Sequence, residues 1–423
     1  MIEIAILGYG IVGSGVAEVV DMNAAAIRRH TGQHIHVKRI LDVRDFPGDP
    51  YEDRLTKDAE LVFGDPEIRV VVETIGGTRI AYDFTKRALS AGKHVVTSNK
   101  ELVAAFGPEL MDLAHDNGIS YLFEASVGGG IPIIRPLHKC LAANEILSIA
   151  GILNGTTNYI LTRMQQEGVG FDAALREAQE AGYAEKDPTA DVEGHDACRK
   201  IAILSSIAFD HFVDYRDVRT EGIVALTQTD MAYAASLGTR IKLVASCRRL
   251  EDGRLDAQVR PTLIPIGSPL AVADGVFNAI LVEGNALGQA MFYGRGAGKL
   301  PTASAVVADV AECVMHIGKT PHYHLWDRND RAVVAPFGET PVRLLVRLDP
   351  DSASDDPHGL IQETFAPLGG TRFVFRPADL TESGLAFVVG EGSDVAEDDL
   401  RRALAVLDAK GMKTLSVLKV MKG

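Results

Sequence analysis

The chain opens on an apolar run, Ile2 to Leu7, interrupted only by Glu3, which reads as a strand. Val16, Val19, Val20 and Ile27 then recur at helical spacing. The alternation continues: residues 36–43, 69–74, 93–97 and 119–124 are strand candidates, and 80–91 and 102–115 are helices ended by Gly92 and Gly118. Strand–helix repetition with short glycine turns predicts an α/β fold built on a doubly wound parallel sheet.

Beyond residue 130 the pattern changes. A strand is expected over 145–153, helices over 156–167 and 171–181, and a polar loop over 183–190 leading into an apolar helix over 192–209. Residues 241–250 and 255–263 form a hairpin about Glu251-Asp252-Gly253-Arg254, and 301–317 is a long helix with Pro301 in its first turn. Residues 321–340, rich in Asp, Arg and Pro, read as a linker. Then follow a strand at 342–348, a helix at 360–365, strands at 371–376 and 385–389, a helix at 397–410 and a strand at 415–420. That βαββαβ order is the ferredoxin-like unit. The expected domains are therefore 1–130, a mixed-sheet domain over 131–300, and a C-terminal domain over 341–423; that the helix at about 300–320 closes the first of them is implied only by the family resemblance described below.

Composition adds exclusions. At 423 residues the chain needs two or three cores, and its 46% apolar and 24% charged content is that of a globular protein. A formal charge of −14 argues against a nucleic-acid partner, whose phosphates call for Lys and Arg. No apolar stretch is long enough to span a bilayer, and Met1-Ile2-Glu3-Ile4 lacks the basic start of a secretion signal, so the cytoplasm is the expected location. Cys140, Cys198, Cys247 and Cys313 are scattered, match no metal-ligand spacing and suit a reducing compartment.

Between the first strand and helix stands Gly8-Tyr9-Gly10-Ile11-Val12-Gly13. Gly8 permits the tight turn, Gly10 lets the backbone approach a pyrophosphate, and Gly13 allows close helix–strand packing; the helix N-terminus then offers N–H groups to the anion. The plain alternative is a glycine turn without a ligand, but the strand–turn–helix context marks a Rossmann dinucleotide site. The second strand ends Leu41-Asp42-Val43-Arg44. An acid there suits the ribose diol of NAD and an arginine the 2′-phosphate of NADP, so the choice stays open.

Several segments together carry a resemblance: the glycine turn, Thr97-Ser98-Asn99-Lys100-Glu101, Phe123-Glu124-Ala125-Ser126-Val127-Gly128-Gly129-Gly130-Ile131-Pro132, Gly151-Ile152-Leu153-Asn154-Gly155-Thr156-Thr157-Asn158-Tyr159-Ile160, and Ala181-Gly182-Tyr183-Ala184-Glu185 through Lys200. In collinear order over roughly residues 1–320 they resemble homoserine dehydrogenase. The resemblance implies interconversion of L-aspartate 4-semialdehyde and L-homoserine with NAD or NADP, on the way to threonine and methionine.

Reducing an aldehyde needs a hydride and a proton for the alkoxide, which a lysine near the carbonyl supplies. Asp196 and Lys200 are four apart on one helix face. By spacing alone that is a surface ion pair; its place after the polar loop, with Ile201-Ala202-Ile203-Leu204 following, makes Lys200 a candidate for partial burial. The resemblance makes Lys200 the proton carrier, places Lys100 between nicotinamide and substrate, and gives Glu185 and Asp196 to the substrate's ammonium and hydroxyl. Asp191 assists or merely caps the next helix. Asn154, Thr156 and Thr157 suit the substrate carboxylate. Ile11, Val12, Thr74, Ser98, Gly182, Gly296 and Gly298 join Gly8, Gly10, Gly13, Asp42, Arg44 and Lys100 as cofactor contacts. Glu124, Val127, Gly129 and Ile131 match a structural sodium site of one carboxylate and backbone carbonyls; the other reading is a glycine turn with a buried glutamate.

Residues 341–423 resemble an ACT domain, with Pro357-His358-Gly359-Leu360 near its first strand-to-helix turn. The polar stretch 349–356 and Phe375-Arg376-Pro377 depart from that pattern. The resemblance implies an amino-acid effector such as L-threonine, and a homodimer or homotetramer. Two rival functions remain: another Rossmann reductase of a small amino-acid aldehyde or imine, and a non-catalytic nucleotide or amino-acid sensor. The lysines and carboxylates at the expected positions favour homoserine.

Overall fold

The computed structural model describes the chain apart from residues 320, 322–324, 329–332, 350–354, 378–379, 381–383, 392–394 and 422–423. Two compact units emerge: Met1–Ile149 with Arg199–Tyr215 and Val282–Asp330, and Ala150–Cys198 with Arg216–Leu281 and Arg331–Gly423.

The first unit is built on six strands, β1 (Ile2–Leu7), β2 (Ile35–Leu41), β3 (Leu55–Thr56), β4 (Ile68–Glu73), β5 (His94–Thr97) and β6 (Tyr121–Leu122), in the order 3-2-1-4-5-6. Every pairing is parallel. The order reverses between β1 and β4, the switch point outside which α/β sheets bind ligands. Ile4, Ile6, Val70 and Val72 are fully buried and share a core with Val16 and Val20 of helix Ile11–Met22 and Val306 and Val310 of helix Lys299–His316. That late helix packs on this sheet, as the resemblance implies: a Cβ on Gly15 would come 3.1 Å from the Ala303 Cβ, so the two backbones approach closely. Tyr121–Leu122 is shorter than the predicted strand because the chain turns at once into a 3₁₀ turn, Glu124–Ser126. The helical spacing read through Ile27 is divided at Asn23 into two helices, and the second, Ala24–Thr31, has no buried residue.

In the second unit, Thr239–Arg249 and Leu255–Pro265 pair antiparallel in unbroken register from Leu255↔Arg249 to Pro265↔Thr239. Leu255 to Ile264 are all buried, so both faces of this strand are covered and its Asp256, Gln258, Arg260 and Thr262 lie inside. The C-terminal block has the βαββαβ order: Leu344–Asp349, Pro357–Phe365, Thr371–Val374, Leu385–Val389, Glu397–Ala409 and Lys413–Val420. Leu344, Phe365, Phe387, Leu400 and Leu407 give it its own core. Its last strand also runs parallel to Leu255–Pro265 through Thr262↔Lys419 and Leu263↔Val420, which continues one sheet across both.

Three features differ from the sequence reading. Strands Phe277–Gly284 and Gly288–Arg295 and helix Gln228–Ser236 were not anticipated. The helix expected over 192–209 is two, Thr189–Val192 and His195–Phe209, broken at Gly194 with φ +82°. The segment 321–340 is no free linker where it is described: Trp326 is buried against Phe123 and Phe212 within the first unit, and Val333 and Ala335 exchange backbone hydrogen bonds with Leu255 within the second. Of that segment, 322–324 and 329–332 lie outside the described residues, as do 350–354 of the polar stretch 349–356.

Candidate active site

In the first unit the glycine turn follows β1 directly. Gly8 has φ +87°, and a Cβ there would lie 2.9 Å from the Thr74 carbonyl oxygen. A Cβ on Gly13 would lie 2.0 Å from the Gly8 carbonyl oxygen, so only glycine closes this turn. The Thr74 hydroxyl donates to the Leu7 and Gly8 carbonyls and locks the turn from β4. Around Gly10 the space is empty to 4 Å, and it caps helix Ile11–Met22 without a side-chain partner for the helical N–H groups. Ile11 is exposed and Val12 half-buried beside it. An open backbone ahead of unsatisfied helix N–H groups is what a pyrophosphate requires, so these residues fit a dinucleotide.

At the end of β2, the Asp42 carboxylate accepts hydrogen bonds from Tyr9 N (2.7 Å) and from Arg44 N, Nε and Nη2 (2.9, 3.0 and 2.9 Å). The Arg44 hydrogen bond holds this acid well below the usual carboxylate range, against the opposing effect of burial. Arg44 itself is exposed, its guanidinium 5.0 Å from the Phe46 ring centre. Asp42 therefore braces the glycine turn and aims the arginine.

The ends of β4 and β5 bring together a group the sequence reading passed over. Glu73 is fully buried and receives Thr97 Oγ1 at 2.5 Å and Ile75 N at 2.6 Å; burial pushes its carboxyl up to about 7. The only sequence signal for it was an acid ending the run Val70-Val71-Val72-Glu73. Ser98 follows β5, its N–H directed at the Glu73 carbonyl. Asn99 caps helix Lys100–Asp116 by accepting Leu102 N, and donates to Ile75 O and Gly77 O. Lys100, half-buried, thus sits at the first position of a helix whose start is tied to the loop after β4.

In the second unit, Asn154 caps helix Gly155–Glu167, its Oδ1 accepting Thr157 N at 2.9 Å. Its Nδ2 must then face away from the helix, and it donates to Asp191 Oδ1 (2.7 Å) and Asp196 Oδ2 (2.9 Å). One amide thus gathers two carboxylates 37 and 42 residues distant in sequence. Asp191 lies in helix Thr189–Val192, and its carboxylate is turned to the Asn154 amide. Asp196 and Thr157 are buried, and the Thr156 hydroxyl donates to Tyr183 O at 2.6 Å, fastening the loop at its start. Gly182, φ +74° with open space around it, and Glu185 are exposed in this loop; the Glu185 carbonyl accepts Gln179 Nε2. Lys200, which is counted in the first unit, is only 9% exposed and lies one turn beyond Asp196 along helix His195–Phe209, which rules out the surface-pair reading of that spacing.

A buried lysine of the second unit is a useful contrast. Lys242, 1% exposed, gives its ammonium to Asn158 Oδ1, Ala273 O and Asp274 Oδ1 at 2.6–2.9 Å. Three acceptors for three protons leave it a structural post.

Glu124, in the first unit, is buried. Its carboxylate accepts Ile133 N, Ile134 N and Arg135 N at 2.6–2.8 Å and Arg135 Nε at 3.3 Å, and Arg135 Nη2 continues to Asp309 at 2.7 Å. Four donors fill the carboxylate's capacity, so the expected carboxylate ligand of a sodium ion does not fit. The carbonyl part is different. The Ile131 carbonyl oxygen turns back to within 2.3 Å of where a Gly128 Cβ would stand, and Gly296 O to within 2.1 Å of one on Gly129. The Gly296 region so closes on this loop, while Gly298, φ +122°, caps helix Lys299–His316. Among the described residues no group of three His, Cys, Asp or Glu side chains could hold a metal ion, and no helix is long and apolar enough to cross a membrane.

Known proteins are similar to this chain in sequence and fold. The family model for the homoserine dehydrogenase NAD binding domain matches residues 8–124, and that for homoserine dehydrogenase matches 132–311. A homoserine dehydrogenase of Synechocystis is 41% identical over 99% of both chains, and one of Pseudomonas aeruginosa 45% identical over 76% of this chain and 74% of its own. The crystal structure of a homoserine dehydrogenase from Thiobacillus denitrificans aligns over 100% of this chain and 98% of its own, with a TM-score of 0.90 and 36% identity. A hyperthermophilic archaeal homoserine dehydrogenase in complex with NADPH aligns over 76% of this chain and 99% of its own, with a TM-score of 0.62 and 28% identity. The strand order, the open glycine turn and these full-length likenesses lead to one conclusion: the chain belongs to the homoserine dehydrogenase family and is an NAD(P)-dependent oxidoreductase.

Proposed function

We propose that this enzyme interconverts L-homoserine and L-aspartate 4-semialdehyde, with Lys200 as the proton carrier. The observation that carries the reading is the Asn154 amide holding Asp191 and Asp196 together one helical turn before Lys200. A bound nicotinamide dinucleotide supplies or takes the hydride at the carbonyl carbon. In the oxidation direction Lys200 accepts the hydroxyl proton at Nζ; in reduction it returns that proton to the alkoxide. Lys100 stabilises the negative oxygen as it forms. Asp196 and Glu185, with Asp191, attract the substrate ammonium, and the Asn154–Thr157 turn takes its carboxylate at the N-terminus of helix Gly155–Glu167.

Gly8, Gly10, Gly13, Ile11 and Val12 hold the pyrophosphate, and Thr74, Ser98, Gly182, Gly296 and Gly298 line the rest of the dinucleotide. Asp42 and Arg44 stand at the ribose end; Arg44, exposed and aimed, is the cation for a 2′-phosphate. A sodium ion in the loop after Glu124 is held by the carbonyls of Val127, Gly129 and Ile131 alone, a weak neutral set with a structural role. Residues 341–423 serve as an ACT-like receiver for L-threonine, in a homodimer or homotetramer working in the cytoplasm. Activity that stays flat across millimolar L-threonine excludes the receiver role.

The test follows the reduced nicotinamide by absorbance with L-homoserine, against NAD and NADP separately. Turnover is expected at alkaline pH. Absence of turnover with both dinucleotides overturns the reading, and an unchanged NADP-to-NAD ratio in Arg44→Ala removes Arg44 from cofactor choice.

A further inference from the structure

The two substrate-site carboxylates lie on either side of one corner. Gly194, φ +82°, ends the turn after helix Thr189–Val192, which carries Asp191, and precedes helix His195–Phe209, which carries Asp196. Whatever fixes this corner fixes how the two acids meet the Asn154 amide. Strand Arg219–Thr220 and the two residues after it press on it from outside the site. A Cβ on Gly194 would come 3.1 Å from the Thr220 methyl carbon and 3.3 Å from a Val259 methyl carbon. Ile223 N donates to Val192 O at 2.8 Å. Gly222 comes closest of all: a Cβ there would stand 2.4 Å from Val192 O and 2.7 Å from the Glu193 Cα, backbone against backbone.

Behind this segment lies a buried arginine. Glu221 N donates to Val259 O at 2.8 Å, and the Glu221 carboxylate lies 3.4 Å from Nε of Arg260, the next residue along that strand. Arg260, 1% exposed, donates through Nη1 to Glu397 Oε2 at 2.7 Å, while Arg401 bridges Glu397 and Glu221. Burying such a cluster is a poor way to gain stability, since desolvation consumes most of the attraction and an apolar side chain would fill the space. Its use lies in fixed position: Arg260 from a strand, with Glu397 and Arg401 from one helix, defines one place for Glu221.

We propose that Gly222 and Arg260, acting through Glu221, are positioning residues that set the corner at Gly194 and hence the spacing of Asp191 and Asp196. Neither touches substrate. The assignment of the two acids to the substrate rests on the function proposed above, whereas the geometric claim stands without it.

The experiment uses the full-length chain and the Gly222→Ala variant, read by crystallography and by steady-state kinetics. The added methyl forces Val192 and Glu193 to shift, so the Asp191 carboxylate is expected to leave hydrogen-bonding distance of Asn154 Nδ2. KM for L-homoserine is expected to rise about tenfold with KM for the dinucleotide within about twofold of the parent. Arg260→Met is expected to repeat the KM split and Arg260→Lys to restore part of it, which keeps the test decisive if Gly222→Ala does not fold. Contacts from Asn154 to both acids that survive in the variant crystal overturn the proposal, as does a parallel rise in both KM values. A parent that fails to turn over homoserine sinks the substrate assignment instead, and the crystal contacts still decide the positioning.

Discussion

In the function proposed above, the glycine turn of the first unit and the acid-bearing corner of the second are both ligand sites, yet they are made of different material. The turn binds with backbone: its glycines leave room, and the helix behind it supplies N–H groups. The corner binds with side chains drawn from residues 154, 191 and 196, and it exists only because Asn154 holds two like charges with one amide. A backbone site is local in sequence and hard to alter without breaking the turn. A side-chain site is assembled over long loops and is easily disturbed from a distance.

The largest expected effect tests the corner. Lys200→Ala should lower homoserine turnover by about 10²–10⁴-fold while dinucleotide binding, measured by fluorescence titration, persists. Near-parental turnover would remove Lys200 as proton carrier. Next, Asn154→Ala should cost about 1–3 kcal/mol of substrate binding, because two carboxylates lose their shared donor and repel each other. A homoserine KM raised roughly ten- to hundredfold checks this, and an unchanged KM would mean the amide is not what gathers the acids.

The turn is sharpened by a smaller effect. Gly10→Ala meets nothing within 4 Å and adopts extended backbone (φ −84°), so its stability should stay within about 0.5 kcal/mol of the parent. Its dinucleotide Kd should nevertheless rise about tenfold, since the methyl takes the place of the pyrophosphate. Unaltered affinity would show that the empty space is not where the anion goes. The smallest effect concerns pH. Burial raises the Glu73 carboxyl to about 7, so the folded state holds this proton more tightly than the unfolded chain, whose value is about 4.3. Its contribution to stability is complete below that lower value and is lost as pH climbs through about 7. Urea denaturation across this window should show Glu73→Gln losing less stability than the parent; identical slopes would count against a proton held there.

The same contrast explains what could be read in advance. β1, β4 and β5 were legible because each centres on an apolar run between turn signals, and β2 because Ile35, Val37, Ile40 and Leu41 stand out among its polar residues. Gly8, Gly10 and Gly13 were legible because their spacing is itself the mechanism. Lys200 and Asp196 were legible only as a pair on a helix, and resemblance gave them a role that periodicity could not. Glu73 was missed because one acid at a strand end looks like a solvated loop charge until Thr97 is placed beside it. Arg260 was missed because a strand covered on both faces loses the alternation that tells inside from outside. The partners of the Glu124 carboxylate were not legible, because backbone N–H groups of residues 133–135 carry no signal in sequence.

By itself the sequence determined the parallel nucleotide-binding sheet, its glycine turn and the order of elements in the C-terminal block. Each depends on interactions between near neighbours, whose geometry follows from backbone preference and apolar periodicity. Only the tertiary structure decided that Asp191 and Asp196 share one amide, that Glu124 serves the protein, and that the last strand extends the sheet of the middle region. Those outcomes turn on which polar groups meet after burial, a matter of long-range register and desolvation that no local pattern encodes.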